Sequence, residues 1–139
     1  MNKLFKFTLF VLSVILLASC SDKKMDLYLE NIPDSFQIVL FEKGKEINSY
    51  RVDKNNERHE VIFSWLKKNQ KEWTLDMTTY APVLIINSEK LKINFLLNDN
   101  LVVVNYENKK GNWIQVSKHI EESQIISIKG KFIDDELNE

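Results

Sequence analysis

The sequence has few of the residues from which metal sites, disulfide frameworks and flexible linkers are built. Its 139 residues include one Cys, two His, three Gly and two Pro. A single Cys cannot form a disulfide within the chain, and two His without a His-x-x-x-His spacing do not complete a usual zinc site. So little Gly and Pro leaves no room for a long low-complexity linker. We therefore expect one folded domain, with no metal or other cofactor.

The distribution of charge argues against one class of partner. The chain carries 19 basic and 20 acidic residues, for a net charge of −1. Lysine pairs at 23–24, 67–68 and 109–110 are scattered along the chain and form no basic patch. Proteins that bind nucleic acid need such a patch to neutralise phosphates. We expect no nucleic acid among the partners of this protein.

Residues 1–19 have the layout of a secretion signal. Lys3 and Lys6 give the start a positive charge, and an apolar run follows over residues 7–18. Twelve residues of helix span about 18 Å, well short of the ~30 Å hydrocarbon core of a bilayer. The run therefore predicts a signal peptide and not a permanent membrane span.

The apolar run ends in Leu17-Ala18-Ser19-Cys20, which contains the only Cys of the chain. This motif resembles the lipobox of bacterial lipoproteins, in which a large apolar residue and two small ones precede an obligatory Cys. The resemblance implies that diacylglycerol is attached to the Cys20 thiol and that a signal peptidase cuts just before it. Two acyl chains anchor a protein durably, since each buried CH₂ contributes ~0.8 kcal/mol. An ordinary signal peptide with an incidental Cys is the alternative.

The residues after Cys20 predict where the domain lies. In lipoproteins of Gram-negative bacteria an Asp directly after the Cys favours the inner membrane. Ser21 at that position implies the periplasmic face of the outer membrane, with the inner membrane as the alternative. Residues 20–25 are assigned to the lipidated Cys and a short tether. Because Ser21 to Lys24 reach only about 15 Å at ~3.3–3.6 Å per residue, the domain should sit close to the bilayer.

Residues 26–133 are predicted to form a single α+β domain. Apolar residues alternate with polar ones in several short segments that end at turn residues, a pattern typical of strands. Short loops between consecutive strands favour antiparallel neighbours, so we expect an antiparallel β-meander of about five to seven strands. The candidate strands cover residues 36–41, 47–52, 73–77, 83–86, 91–97, 101–106 and 113–116.

One main helix is predicted at about residues 56–69, packed on the sheet. Residues 53–56 offer side chains suited to a helix N-cap. Residues 117–130 fit neither a helical nor a strand period and stay unassigned, while residues 134–139 are predicted to be an acidic tail. The apolar residues of the helix fall on one stripe: Val61, Ile62, Trp65 and Leu66.

Little in the sequence predicts catalysis. The chain has no Gly-x-Ser-x-Gly motif, and its only Cys is expected to carry lipid. His59, on the predicted helix, and His119, near the end of the last strand, are interpreted as structural or surface residues. They would be the first residues to test if the protein were an enzyme. We predict that it is not one.

Aromatic side chains are the remaining candidates for a binding site. The chain has fifteen of them, three being Trp. Trp73, Tyr80 and Trp113 lie near the starts of predicted strands and outside the core stripes. Large amphipathic rings are favoured in protein recognition, so these three are the predicted binding residues. The alternative is that they close the ends of the core.

These observations favour a small envelope protein that is anchored to a membrane through Cys20 and binds a protein partner. Within that class, the favoured hypothesis is an immunity-like inhibitor of a toxin or lytic enzyme that acts in the periplasm. An envelope assembly or accessory factor is the alternative. A small hydrolase or a lipid-handling protein is a more distant one.

Overall fold

The computed structural model describes residues 24–27, 29, 32–77 and 79–133. Within these residues, one antiparallel sheet of eight strands carries two helices. The predicted α+β class is therefore confirmed. The predictions of a signal peptide, a lipidated Cys20 and an acidic tail fall on residues 1–23 and 134–139, which lie outside the described residues.

Most strands are joined by short turns, and the two helices stand apart in the chain. The first helix follows the third strand, and the second helix follows the eighth. The strands are β1 (Lys24–Met25), β2 (Ser35–Glu42), β3 (Lys45–Asp53), β4 (Trp73–Leu75), β5 (Leu84–Asn87), β6 (Leu91–Leu96), β7 (Leu101–Glu107) and β8 (Trp113–His119). The helices are α1 (Glu57–Lys68) and α2 (Glu122–Ile133).

The β2–β3 hairpin follows directly from alternation in the sequence. Phe36, Ile38 and Leu40 point to one face of β2 and are buried, as successive side chains of a strand must alternate. The chain reverses at Lys43 and Gly44, whose φ angles of 50° and 76° suit a tight hairpin turn. The strand predicted at residues 91–97 is confirmed as β6, which buries Leu91, Ile93 and Phe95 on one face and Leu96 on the other.

Local signals also account for α1. The side chain of Asn56 accepts a hydrogen bond of 2.9 Å from the backbone N–H of Arg58 and so caps the first turn. Acidic residues in the first turn and basic residues in the last one suit the helix dipole. Ile62 and Leu66, one turn apart, are buried against the sheet. The helix predicted at about residues 56–69 is confirmed, and its N-cap falls within the predicted capping residues 53–56.

The strand order differs from the predicted meander. It runs β1-β4-β8-β7-β6-β5-β2-β3, and its eight strands exceed the five to seven expected. Only β5 to β8 form a true meander. The successive antiparallel pairings make β3, β4 and β5 parallel to one another. Parallel strands cannot be joined by a hairpin, so the chain crosses the sheet from β3 to β4 and crosses it again to reach β5.

The two crossovers pass over opposite faces of the sheet. α1 crosses the face on which Ile93 and Phe95 point, which we call the helix face. Residues 76–77 and 79–83 return across the other face, where Tyr80 packs on a small apolar cluster of Leu96, Leu101 and Val103. We call this second side the loop face. Since the crossovers run in opposite directions over opposite faces, both have the same hand, as the rule for parallel connections requires.

The main core lies on the helix face. It contains twenty buried residues of the described chain, supplied by the sheet, by both helices and by Leu27. The cluster on the loop face has three buried residues. Because successive side chains of a strand point to opposite faces, the sheet contributes to two cores of very different size.

Two segments differ from their predicted assignment. Lys24 and Met25, predicted to belong to the tether, form β1 and pair with Thr74 and Trp73 of β4. Residues 117–130, which fit neither period in the sequence, complete β8 and form most of α2. β1 is ordered by a strand that is distant in sequence, which local periodicity cannot reveal.

Candidate functional site

An open groove of about 620 Å³ separates α1 from α2 on the helix face. The two helices run antiparallel, since Lys131 near the end of α2 lines a small cleft together with Asn56 at the start of α1. Each helix has 12 residues, which gives the groove walls of roughly 18 Å at ~1.5 Å per residue. The volume lies within the ~300–1,000 Å³ typical of ligand pockets. This groove is the candidate functional site.

The floor of the groove is apolar and includes Val61, Trp65 and Ile128. The Trp65 ring packs edge-to-face on Phe95, with centroids 5.1 Å apart, and on Trp73, with centroids 6.4 Å apart. Contacts of this kind favour one orientation of an aromatic ring. Trp65 is itself only half-buried. The groove therefore offers an aromatic surface whose orientation the core has already set.

Long-range contacts hold the walls of the groove in place. The Tyr50 hydroxyl of β3 donates a hydrogen bond of 2.8 Å to the backbone oxygen of Phe132 in α2. The Arg58 guanidinium of α1 lies 5.0 Å above the centre of the Tyr50 ring. At the other end, Nε1 of Trp73 donates a hydrogen bond of 2.6 Å to the oxygen of Asn69, just after α1. Both helices are thus attached to the sheet, which sets the width of the groove.

Polar and charged side chains line the walls. Ser64 of α1 lies across from α2, and its hydroxyl donates a hydrogen bond of 3.1 Å to the Glu60 carboxylate. Hydroxyls around an apolar floor can bond the backbone of a bound segment while its apolar side chain enters the groove. The other polar lining residues are Glu57, Lys68, Asn69, Ser123, Gln124, Ser127 and Lys131.

The structure contradicts the prediction that Trp73 is a binding residue. Its side chain is 0% exposed and belongs to the main core. β4 lies between β1 and β8 in the sheet, and α1 covers its helix face through Trp65. A position that looks like a strand start in the sequence is therefore an interior position. Trp73 acts on the groove only indirectly, as the support of Trp65 and Asn69.

Tyr80 and Trp113 lie elsewhere, and the structure does not bring the three aromatics together. Tyr80 is half-buried on the loop face, where its hydroxyl donates a hydrogen bond to the Asp76 carboxylate. This position fits the alternative that it closes a small core. Trp113 opens β8 and is 55% exposed. It alone of the three has the exposure that a binding residue needs.

The two histidines occupy separate places. Nε2 of His59 lies 2.7 Å from the oxygen of Pro33, and its ring packs on Phe36 with centroids 5.2 Å apart. His119 is exposed at the end of β8. In the part of the chain that the structure describes, no group of three His, Cys, Asp or Glu residues could hold a metal ion.

Sequence reasoning missed the groove because it missed α2. Three buried residues of this helix, Ile125, Ile128 and Phe132, are spaced by three and four residues, which is the helical period. That stripe was present in the sequence. The neighbouring Ile126 masked it, because this exposed isoleucine falls outside the helical stripe. Without α2 there is no second wall, and so no groove could be expected.

The function has to be argued from the geometry of the groove, because comparison with known proteins finds no relative. No protein-family model, curated protein or solved structure matches this chain. Among the described residues, neither helix is both long enough and apolar enough to cross a membrane.

Proposed function

We propose that this protein is a small lipid-anchored protein of the bacterial envelope that binds a protein partner in the groove between α1 and α2. The observation that carries the proposal of binding is the groove itself, with Trp65 oriented on an apolar floor between polar walls. The resemblance of Leu17-Ala18-Ser19-Cys20 to a lipobox supports the anchor. Diacylglycerol on Cys20 would hold the domain at the periplasmic face of the outer membrane.

The partner that we favour is a toxin or lytic enzyme that acts in the periplasm and is inhibited by this protein. A segment of the partner that lays an apolar side chain on Trp65 would bury surface on both molecules. Aromatic anchors in partly enclosed sites supply most of the binding energy of many interfaces. Rigid walls lower the entropic cost of binding, because little of the groove must become ordered.

The groove can be filled without disturbing the core. Ser64 is exposed on the groove wall, and its one described side-chain hydrogen bond goes to Glu60. Ser64→Trp should block the groove and lower capture of the partner from envelope extracts at least tenfold. The matched control is Ser49→Trp on β3, because Ser49 is also exposed and accepts one exposed hydrogen bond, from Gln37.

Both Ser variants should keep the melting temperature of the parent protein. Equal capture by Ser64→Trp and Ser49→Trp would contradict binding in the groove. The captured protein is then purified and its lytic or toxic activity is measured with and without the parent protein. Inhibition of this activity supports the immunity-like function. If the captured protein is instead an envelope assembly component whose activity does not change, the immunity-like function is wrong and an accessory role takes its place.

The lipid anchor has a separate test. Cys20→Ser should abolish labelling by a palmitate analogue and move the protein out of the membrane fraction, since the lipobox needs the thiol. Ser21→Ala serves as the control, because it leaves the thiol in place and should be labelled like the parent. Labelled Cys20→Ser protein would end the proposal of a lipid anchor at this residue.

A further inference from the structure

Three of the six large apolar side chains that are exposed in the described residues lie at one corner of the sheet. Leu75 is 61% exposed, Met77 is 94% exposed, and Trp113 is 55% exposed. The backbone N–H of Asp76 donates a hydrogen bond of 3.1 Å to the oxygen of Gln115, which places the end of β4 beside the start of β8. We call Leu75, Met77 and Trp113 the apolar edge. Leu75 pairs with Val116 of the main core and so lies on the helix face, whereas Trp113, three residues before Val116, points to the opposite face. Both sides of this corner are therefore apolar, and exposed apolar side chains gathered at one place mark interaction surfaces.

The chain that leads to the predicted lipid anchor leaves from the same corner. Lys24 of β1 pairs with Thr74 of β4 in antiparallel register. The end of β1 that leads back to Cys20 is therefore the end at which β4 continues to Leu75 and Met77. The chain therefore enters β1 at the corner that carries the apolar edge.

The distance to the anchor is short. Cys20 lies four residues before Lys24, so lipid attached to it would join the protein within about 14 Å of β1 at ~3.6 Å per residue. A domain held this close must turn one of its surfaces to the lipid headgroups. The corner at which the chain enters β1 is the one that carries the exposed apolar residues.

We infer that the apolar edge inserts into the lipid bilayer beside the anchor, an inference that rests on the lipid anchor proposed above. The Leu75 and Met77 side chains enter the boundary between headgroups and acyl chains, and the Trp113 ring lies at the interface that Trp favours. Lys24, Glu72 and Lys118 line the adjacent cleft and carry charges of both signs. The contact therefore does not depend on anionic lipid.

This contact orients the whole domain. The sheet stands on its β4 side, and β3 lies six strand spacings away, which is about 29 Å at ~4.8 Å per spacing. The groove between α1 and α2 lies on a face of the sheet and stays accessible from the side. Membrane contact and partner binding can therefore occur together.

The test uses the full chain, processed in bacteria and reconstituted into vesicles of zwitterionic phosphatidylcholine. Met77→Cys and its control Ile47→Cys each introduce one thiol for an environment-sensitive fluorophore, because lipid occupies the Cys20 thiol. Ile47 lies on β3 at the far side of the sheet and is 52% exposed. The fluorophore at Met77→Cys should shift to the blue, and doxyl-labelled lipid should quench it at least twofold more than the fluorophore at Ile47→Cys.

The outcomes separate this inference from the proposed function. If the protein floats with the vesicles and both fluorophores stay equally unquenched, the anchor stands and the inserted edge is wrong. A blue shift at Met77→Cys without quenching by doxyl lipid means that protein covers the edge, for example a second copy, and also overturns the inference. Protein that fails to float and carries fluorophore on Cys20 overturns the anchor and the inserted edge together.

Discussion

The helix face and the loop face belong to the same sheet but are stabilised to different degrees. Neighbouring residues of one strand, such as Phe95 and Leu96, point to opposite faces, and both are buried. Phe95 lies in a core of twenty residues under two helices, whereas Leu96 lies in a cluster of three under one crossing loop. Alternation therefore decides which face a side chain enters. The segment that crosses that face decides how much packing the side chain receives.

The largest effect is expected on the helix face. Leu91 of β6 is 1% exposed and is surrounded by the main core. Leu91→Ala should lower the free energy of unfolding by about 4 kcal/mol, within the ~2–5 kcal/mol of buried Leu→Ala changes. The two-sided packing of sheet and helices limits how far the cavity can collapse. Urea unfolding of the purified protein measures the loss, and Lys67→Ala on the exposed side of α1 should change stability by less than ~0.5 kcal/mol.

The matched change on the loop face should cost less. Leu96 is on the same strand as Leu91 and is also 1% exposed. Leu96→Ala should cost about 2 kcal/mol, near the low end of the same range, because the single crossing segment over it can move to fill the cavity. The same urea titration gives the comparison. Equal losses for Leu91→Ala and Leu96→Ala would show that the loop packs as rigidly as the helices.

The crossing loop has a polar contact of its own. Tyr80→Phe keeps the ring on the loop-face cluster and removes the hydroxyl that donates to Asp76. We expect a loss of about 1 kcal/mol, the usual net contribution of one hydrogen bond. A double-mutant cycle with Asp76→Ala, which removes the acceptor, isolates the pair. Additive losses in that cycle would mean that the hydroxyl and the carboxylate do not stabilise the loop together.

The smallest predicted effect concerns alkaline pH and the main core. Burial raises the pKa of Tyr106 above its ordinary value of 10.0, because the phenolate would lose its hydration. Above pH 10.0 the unfolded chain loses this proton before the folded protein does. Stability from this group is therefore complete below pH 10.0 and falls as the pH rises toward the folded pKa.

Tyr106→Phe tests this dependence. The variant should lose less stability than the parent protein between pH 9 and 11, measured as the free energy of unfolding in urea at each pH. Parallel pH profiles for the parent and Tyr106→Phe would contradict a raised pKa.

Short-range patterns in the sequence predicted the local elements well. The alternation of Phe36, Ile38 and Leu40 identified a strand and its buried face, and the capping side chains at residues 53–56 identified the start of α1. These elements depend on neighbours within a few residues, so the information is contained in each segment. The turn at Lys43 and Gly44 belongs to the same group.

The candidate site depended on contacts between distant segments. Trp73 has an ordinary strand position in the sequence, and only the placement of β4 between β1 and β8, under Trp65, buries it. The second wall of the groove comes from α2, whose stripe of Ile125, Ile128 and Phe132 becomes meaningful once it has a sheet to pack on. The groove could therefore not be predicted from any one segment.

The sequence by itself determined the α+β class, the main hairpin, α1 and the strand faces, because backbone period and capping act over a few residues. It also contains the lipobox pattern at Cys20. The strand order, the burial of Trp73 and the groove were decided only by the tertiary structure. Two crossovers on opposite faces bring together residues that are far apart in sequence. The sequence of a short connecting segment such as residues 76–83 does not show whether the chain turns back beside its own strand or crosses the sheet.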